Sequence, residues 1–281
     1  MRIWFITGAS RGFGARITAA ALAAGDAVVA TARDPASVSR QFGDNDRLLA
    51  VKLDVTDEAQ AHAAAKAAIQ KFGRIDILVN NAGYGLLGAV EEANAAETTR
   101  LFGTNVFGLL NVTRAALPHM RRQRAGHVIN ISSVGGYTGY PGWGVYGATK
   151  FAVEGLSEAM TAELAPLGVH VTVVEPGFFR TDFLDDQSLV RTAQQIDDYA
   201  ATVGRTRAHA ADANHGQRGD PSRLAAAILR LVDAKVPPTR LPLGSDTVER
   251  IEAKHAHVEQ ELAAWRDVAV STDWRDTTKT A

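Results

Sequence analysis

The chain has 281 residues, 30 Lys and Arg against 31 Asp and Glu, a formal net charge of −1 and no cysteine. A disulfide scaffold, thiol chemistry and thiolate metal sites are therefore excluded, and there is no net field to attract nucleic acid or an anionic membrane. A small-molecule partner suits this composition better, and the length suits one doubly wound α/β domain.

The first run, Ile3-Trp4-Phe5-Ile6-Thr7, is too short for a secretion signal and leads straight into a glycine turn. No apolar run approaches the roughly 20 residues that span a bilayer, so a cytoplasmic protein is expected. Short β-rich runs at 3–7, 27–31, 48–53, 75–79, 128–131 and 169–174 alternate with Ala-rich helical stretches, the pattern of a mostly parallel sheet. The runs are apolar at consecutive positions, as strands covered by helices on both faces require. Gly25 closes the first helix, Thr56 is placed to cap a later one with Asp57 and Glu58 in its first turn, and Asp220-Pro221 opens another.

Two regions depart from the alternation. Residues 182–219 are polar and show no strand-like run, and are expected to form a flap over a site. In the C-terminal extension, 237–281, a helix at 246–265 aligns Val248, Ile251, His255, Val258, Leu262 and Trp265 on one stripe. That stripe is expected to pack on its own domain in preference to a subunit interface, with His255 as a packed residue. His255 and His257 point about 200° apart on a helix, so no metal site is expected.

The glycine turn reads Gly8-Ala9-Ser10-Arg11-Gly12-Phe13-Gly14 between a strand and a helix. Glycines allow the backbone to approach a pyrophosphate that the helix N-terminus faces, which gives a Rossmann-type α/β domain. At the end of the second strand, Ala32 stands where an NAD-binding protein would place a carboxylate on the 2'-hydroxyl. Arg33 beside it and Arg11 in the turn offer guanidinium groups to a 2'-phosphate, so NADP(H) is the expected cofactor.

Tyr146 and Lys150 are four residues apart and share one face of the helix that 148–164 suggests. A free phenol titrates near 10, and an adjacent ammonium is expected to lower that value. Ser133, at a strand end, can donate to a substrate oxygen where charge develops.

With these motifs in view, the chain resembles the short-chain dehydrogenase/reductase family over nearly its whole length. The resemblance rests also on Asp54-Val55, Asn80-Asn81-Ala82-Gly83, Asn105 and Pro176-Gly177. It implies that Tyr146 exchanges a proton with an alcohol or carbonyl, that Lys150 also binds the nicotinamide ribose, that Ser133 orients substrate and that Asn105 holds a proton-relaying water. It further implies that Asp54 meets the adenine amino group, that Val55, Pro176 and Gly177 adjoin the cofactor, that Asn81, Ala82 and Gly83 line it near the adenosine ribose, and that Thr181 holds the carboxamide. Members commonly pair through the helices after Asn105 and around Tyr146, which implies a homodimer or homotetramer.

Between Ser133 and Tyr146 the chain places Tyr137, Tyr140 and Trp143 among glycines. With Tyr84, Leu86, Leu87, Phe178, Phe179 and Phe183 these should wall a pocket for an apolar substrate body. The stretches 83–88 and 133–136 resemble the hydroxysteroid and retinol dehydrogenase branch, which does not itself set a substrate. Two rivals remain at this level: a non-catalytic NADP(H)-sensing protein, which the complete Ser, Tyr, Lys and Asn set disfavours, and an epimerase or dehydratase of the longer related family, whose larger C-terminal domain is missing.

Overall fold

The computed structural model describes residues 1–213 and 216–274; the expectations at 214–215 and 275–281 lie outside the described residues. Its strands are β1 (Ile3–Thr7), β2 (Ala27–Ala32), β3 (Leu48–Lys52), β4 (Ile77–Asn80), β5 (Gly85–Leu87), β6 (Gly126–Ile131), β7 (Val169–Pro176), β8 (Leu189–Arg191) and β9 (Arg240–Leu243). Its α-helices are α1 (Gly12–Ala23), α2 (Pro35–Phe42), α3 (Glu58–Phe72), α4 (Ala95–Phe102), α5 (Leu109–Gln123), α6 (Gly144–Leu164), α7 (Arg205–Asp212), α8 (Pro221–Val232) and α9 (Ser245–Ser271).

Seven strands form one parallel sheet in the order β3-β2-β1-β4-β6-β7-β9. Alternate strand residues feed two cores. Trp4, Ile6, Val28, Ala30 and Val79 face α1 and α8, packing with Ile17, Ala21, Leu224 and Ile228. Phe5, Val29, Leu78 and Val128 face the opposite layer, where Ala61, Ala64 and Ala68 of α3 and Val112 and Ala116 of α5 meet them. Both faces are dry, which is why the strands read as unbroken apolar runs. The small side chains of α3 let it approach α5 closely. Strand order reverses beside β1, so a crevice opens at the carboxyl ends of β1 and β4, where doubly wound sheets bind ligands.

Three expectations need correction. Residues 182–219 do contain a strand: β8 pairs in parallel with β5 in a separate two-stranded sheet, Leu86 opposite Val190. A three-residue strand is too short to show a period. Asp57, not Thr56, caps α3, its carboxylate accepting from the Gln60 amide, while Thr56 donates from its amide and hydroxyl to Asp54. Most of α9 does not pack on its own domain. Among its described residues only Thr247 is buried, and Leu262, Trp265 and Val268 are 55%, 66% and 55% exposed. His255 is likewise exposed, and its ring meets Tyr137 in a hydrogen bond.

Candidate active site

The turn from β1 to α1 is shaped by its glycines. Gly8 and Gly12 take left-handed φ of 63° and 54°, and a Cβ on Gly14 would lie 2.3 Å from the Gly8 carbonyl oxygen. Only glycine fits there, and the turn closes tightly on the helix start. Asn81, just past β4, ties the crevice together: its Nδ2 donates to the carbonyls of Thr7 and Gly8 at 2.8 and 3.1 Å. Its amide and that of Ala82 donate to the Thr7 hydroxyl at 2.9 and 3.0 Å.

A cavity of about 860 Å³ runs along the carboxyl ends of the strands. It is lined by Gly8, Ser10, Arg11, Gly12, Phe13, Arg33, Asp54, Val55, Asn81, Ala82, Gly83, Ser133, Tyr146, Lys150, Pro176, Gly177 and Thr181. Of the residues expected from the sequence, Gly14 and Asn105 stand behind this wall. The narrow glycine turn, the bare backbone at Gly83 and a cavity that Arg11 and Arg33 both line fit a dinucleotide.

Asn105 lies in a π-helical segment, Gly103–Gly108, that joins α4 to α5; such widened turns favour functional positions. Its Oδ1 accepts from the Tyr84 amide at 3.1 Å, and its Nδ2 donates to the Tyr84 carbonyl at 3.0 Å and the Thr149 hydroxyl at 3.1 Å. A Cβ on Gly83 would sit 3.1 Å from Asn105 Oδ1 and 3.8 Å from Lys150 Nζ. Asn105 and Lys150 therefore flank the same bare stretch of backbone.

Tyr146 and Lys150 are each 7% exposed. Burial pushes the Tyr146 phenol up to about 12, with a hydrogen bond from Ser133 working the other way. Burial pushes the Lys150 ammonium down to about 8, against the pull of Glu154. Lys150 Nζ donates to the Ile131 carbonyl at 2.9 Å and lies 5.7 Å from the Tyr146 ring centre. The expected lowering of the phenol by its neighbour is thus not seen: desolvation outweighs an ammonium that is turned towards the strand end.

Over the phenol, Trp143 meets Tyr146 edge-on at 5.6 Å and stacks on Phe183 at 6.2 Å. Tyr84, Tyr140, Phe178 and Phe179 complete the apolar wall. Leu86 and Leu87 are buried in small satellite cores, and Tyr137 turns outward to Arg240 and His255. The lining residues missed in the sequence include Gln187, Ser188 and Gln217. They lie in a segment whose only signal was polarity, and nothing in their spacing marks them.

Arg11 donates to the side chain and the backbone carbonyl of Gln187, tying the glycine turn to the segment after β7. Asp34 caps α2 and pairs with Arg40, so its carboxylate is committed away from the cavity. A polar cradle thus occupies one part of the cavity and a buried phenol under aromatic rings another.

A family model described as short chain dehydrogenase matches residues 2–191. Oxidoreductase BOA17 of Botryotinia fuckeliana is 38% identical over 274 residues, covering 96% of this chain and 99% of that protein. The 3-ketodihydrosphingosine reductase of Bacteroides thetaiotaomicron is 41% identical over 244 residues, covering 86% and 88%. Among solved structures, a short-chain dehydrogenase from Streptomyces avermitilis matches with a TM-score of 0.89 at 40% identity, covering 97% of this chain and all of that one. A short chain dehydrogenase/reductase from Burkholderia phymatum in complex with NAD matches at 0.82 and 25% identity, covering 92% and 95%. ElxO with NADP bound matches at 0.73 and 26% identity, covering 88% and 99%.

Proposed function

This chain belongs to the short-chain dehydrogenase/reductase family and is an oxidoreductase, and on that premise we propose that it uses NADP(H) to interconvert an alcohol and a ketone or aldehyde on an apolar substrate. The observation that carries the proposal is Tyr146: a buried phenol lining the same cavity as Ser133, under Trp143 and Phe183, in a cavity that also takes in Arg11 and Arg33.

When bound, the nicotinamide dinucleotide supplies or accepts the hydride. Tyr146 gives its phenolic proton to the carbonyl oxygen during reduction and takes one from the alcohol during oxidation. Ser133 donates to the same oxygen and fixes its position beside the phenol. Lys150 holds positive charge near the phenolate and binds the nicotinamide ribose, and the ring of Trp143 keeps water off the reacting carbon. Asn105, anchored by Tyr84 and Thr149 next to Lys150, passes the proton to solvent through a water. Residues 182–219 form the substrate flap, closed over the phenol by Phe183.

Arg33 supports the preference for NADP(H). It lines the cavity while Asp34, the one carboxylate beside it, is held by the α2 start and Arg40. The 3-keto substrate named for the Bacteroides thetaiotaomicron relative and the aromatic wall both favour a ketone with an apolar body. Phe151 on α6 is 47% exposed, and Phe107 in the π-helical turn that leads into α5 is 55% exposed, which favours pairing through these helices.

The test is dinucleotide oxidation with NADPH or NADH across aliphatic, aromatic and polycyclic carbonyls. NADPH-dependent turnover of bulky apolar carbonyls is expected, with Tyr146→Phe abolishing it while NADPH still binds, and Arg33→Asp moving preference towards NADH. Tight NADPH binding with no turnover of any carbonyl would favour a sensing role instead.

A further inference from the structure

Along α9 one stripe, apolar but for His255, follows steps of three and four: Val248, Ile251, His255, Val258, Leu262, Trp265 and Ala269, with the exposed Val268 and Val270 outside it. That spacing averages 3.5 residues, as in the seam of a coiled coil. The helix divides into two halves along this seam. In the first half Asp246 accepts from the Phe178 amide, the Thr247 hydroxyl donates to the Leu243 carbonyl, Arg250 lies over the Tyr140 ring at 4.6 Å and His255 meets Tyr137. The second half, from Val258 onward, is exposed, with Val258 at 44%, Leu262 at 55% and Trp265 at 66%.

We propose that the outer half of α9 pairs antiparallel with the same segment of a second copy of this chain, the two helices related by a two-fold axis between Leu262 and Trp265. The register follows from the side chains. Leu262 would face Trp265 of the second copy, and Val258 would face Ala269, so each layer sets a larger residue against a smaller one. On the flank of the seam, Glu259 would meet Arg266 of the second copy, and the two-fold repeats that pair. A parallel pair is disfavoured because the domain that touches His255 through Tyr137 fills the seam just below Val258. The antiparallel pair sends the two domains to opposite ends. A membrane surface is also disfavoured, since α9 carries six acidic side chains to three basic ones. Two heptads are short for a coiled coil, so the pairing should depend on concentration.

The absence of cysteine from the chain makes the register directly testable. Sedimentation velocity of the full chain over a range of concentrations should show an assembly whose mass is halved by Leu262→Glu with Trp265→Glu, residues whose exposure keeps the fold out of question. Arg266→Glu should also halve it, and adding Glu259→Arg should restore it. Val258→Cys with Ala269→Cys should form disulfide-linked chains under mild oxidation, whereas Val258→Cys alone should not, because its copies would lie about 16 Å apart along the helix. An unchanged mass in the Leu262→Glu, Trp265→Glu variant overturns the proposal. So does efficient linkage by Val258→Cys alone, which means a parallel pair, or failure of the charge swap to restore mass, which means that α9 meets another surface.

Discussion

The two ends of the sheet use the same residue types for opposite purposes. At the amino ends of the strands, Asp26 accepts from the Arg2 amide at 2.8 Å, from Arg2 Nε at 3.1 Å and from Trp4 Nε1 at 2.9 Å. Asp76 accepts from the Ile3 amide and Arg74, and Gln123 bridges the amide and carbonyl of Ile75. Burial works against the Asp26 charge, yet these donors hold its carboxyl below the ordinary value. At the carboxyl ends burial prevails: Tyr146 is pushed up to about 12 and Lys150 down to about 8. Gln217, lining the cavity, has a buried Oε1 with no hydrogen-bond partner among the described residues. One end spends its polar groups on holding strands together; the other leaves them under-satisfied, where they can act on a ligand.

Substitutions at the two ends should therefore separate activity from stability. The largest effect is expected from Lys150→Met, which keeps the volume and removes a buried charge. Turnover should fall on the order of 10³-fold, while thermal unfolding stays unchanged or moves up. Because Lys150 titrates lower in the folded chain than its ordinary 10.5, the unfolded chain binds the extra proton, and wild-type stability should rise between about pH 8 and 10. Denaturant unfolding across that window should show the rise in wild type and a flatter profile in Lys150→Met; a wild-type profile as flat as the variant's would remove the buried charge from the explanation.

At the amino end, Asp26→Ala strands the buried Trp4 N–H and should cost on the order of 3 kcal/mol in denaturant unfolding, with activity per folded molecule unchanged. Its folded carboxyl lies below 3.8, so its contribution is present above that value and disappears as the pH falls through the folded value. Wild type should lose stability on acidification below pH 4 more steeply than Asp26→Asn. Loss of turnover in folded Asp26→Ala would show that the two ends are coupled.

How much of this was legible in the sequence follows the same division. The carboxyl end was readable because its constraints are local: Gly8, Gly12 and Gly14 share one turn, Tyr146 and Lys150 one helix face. The amino-end network was invisible, since Asp26 and Trp4 meet only through the register of β1 on β2. Strand β9 escaped because it is four residues long and contains Pro242, tolerated only because the strand is an edge. The steps of three and four placed α9 as a helix but misled on its cover, since a stripe that packs on its own domain and one that stands exposed have the same spacing, and the phenol's environment depends on Trp143 and Phe183 closing from segments 40 residues apart, which no spacing rule reaches.

The smallest expected effects are the sharpest, because they separate the two roles in neighbouring residues. Asp57 caps α3 through the Gln60 amide, and Asp57→Ala should lower the denaturant midpoint slightly without changing dinucleotide affinity. Thr56 caps nothing; it donates twice to Asp54 Oδ1, at 3.0 and 2.7 Å, and Asp54 lines the cavity. Thr56→Val keeps the shape, removes the hydroxyl donor and frees the carboxylate to rotate, so stability should move by a few tenths of a kcal/mol while NADPH binding weakens several-fold in calorimetric titration. If Thr56→Val instead lowered stability as much as Asp57→Ala and left affinity alone, Asp54 would belong with the structural carboxylates of the amino end and not with the site.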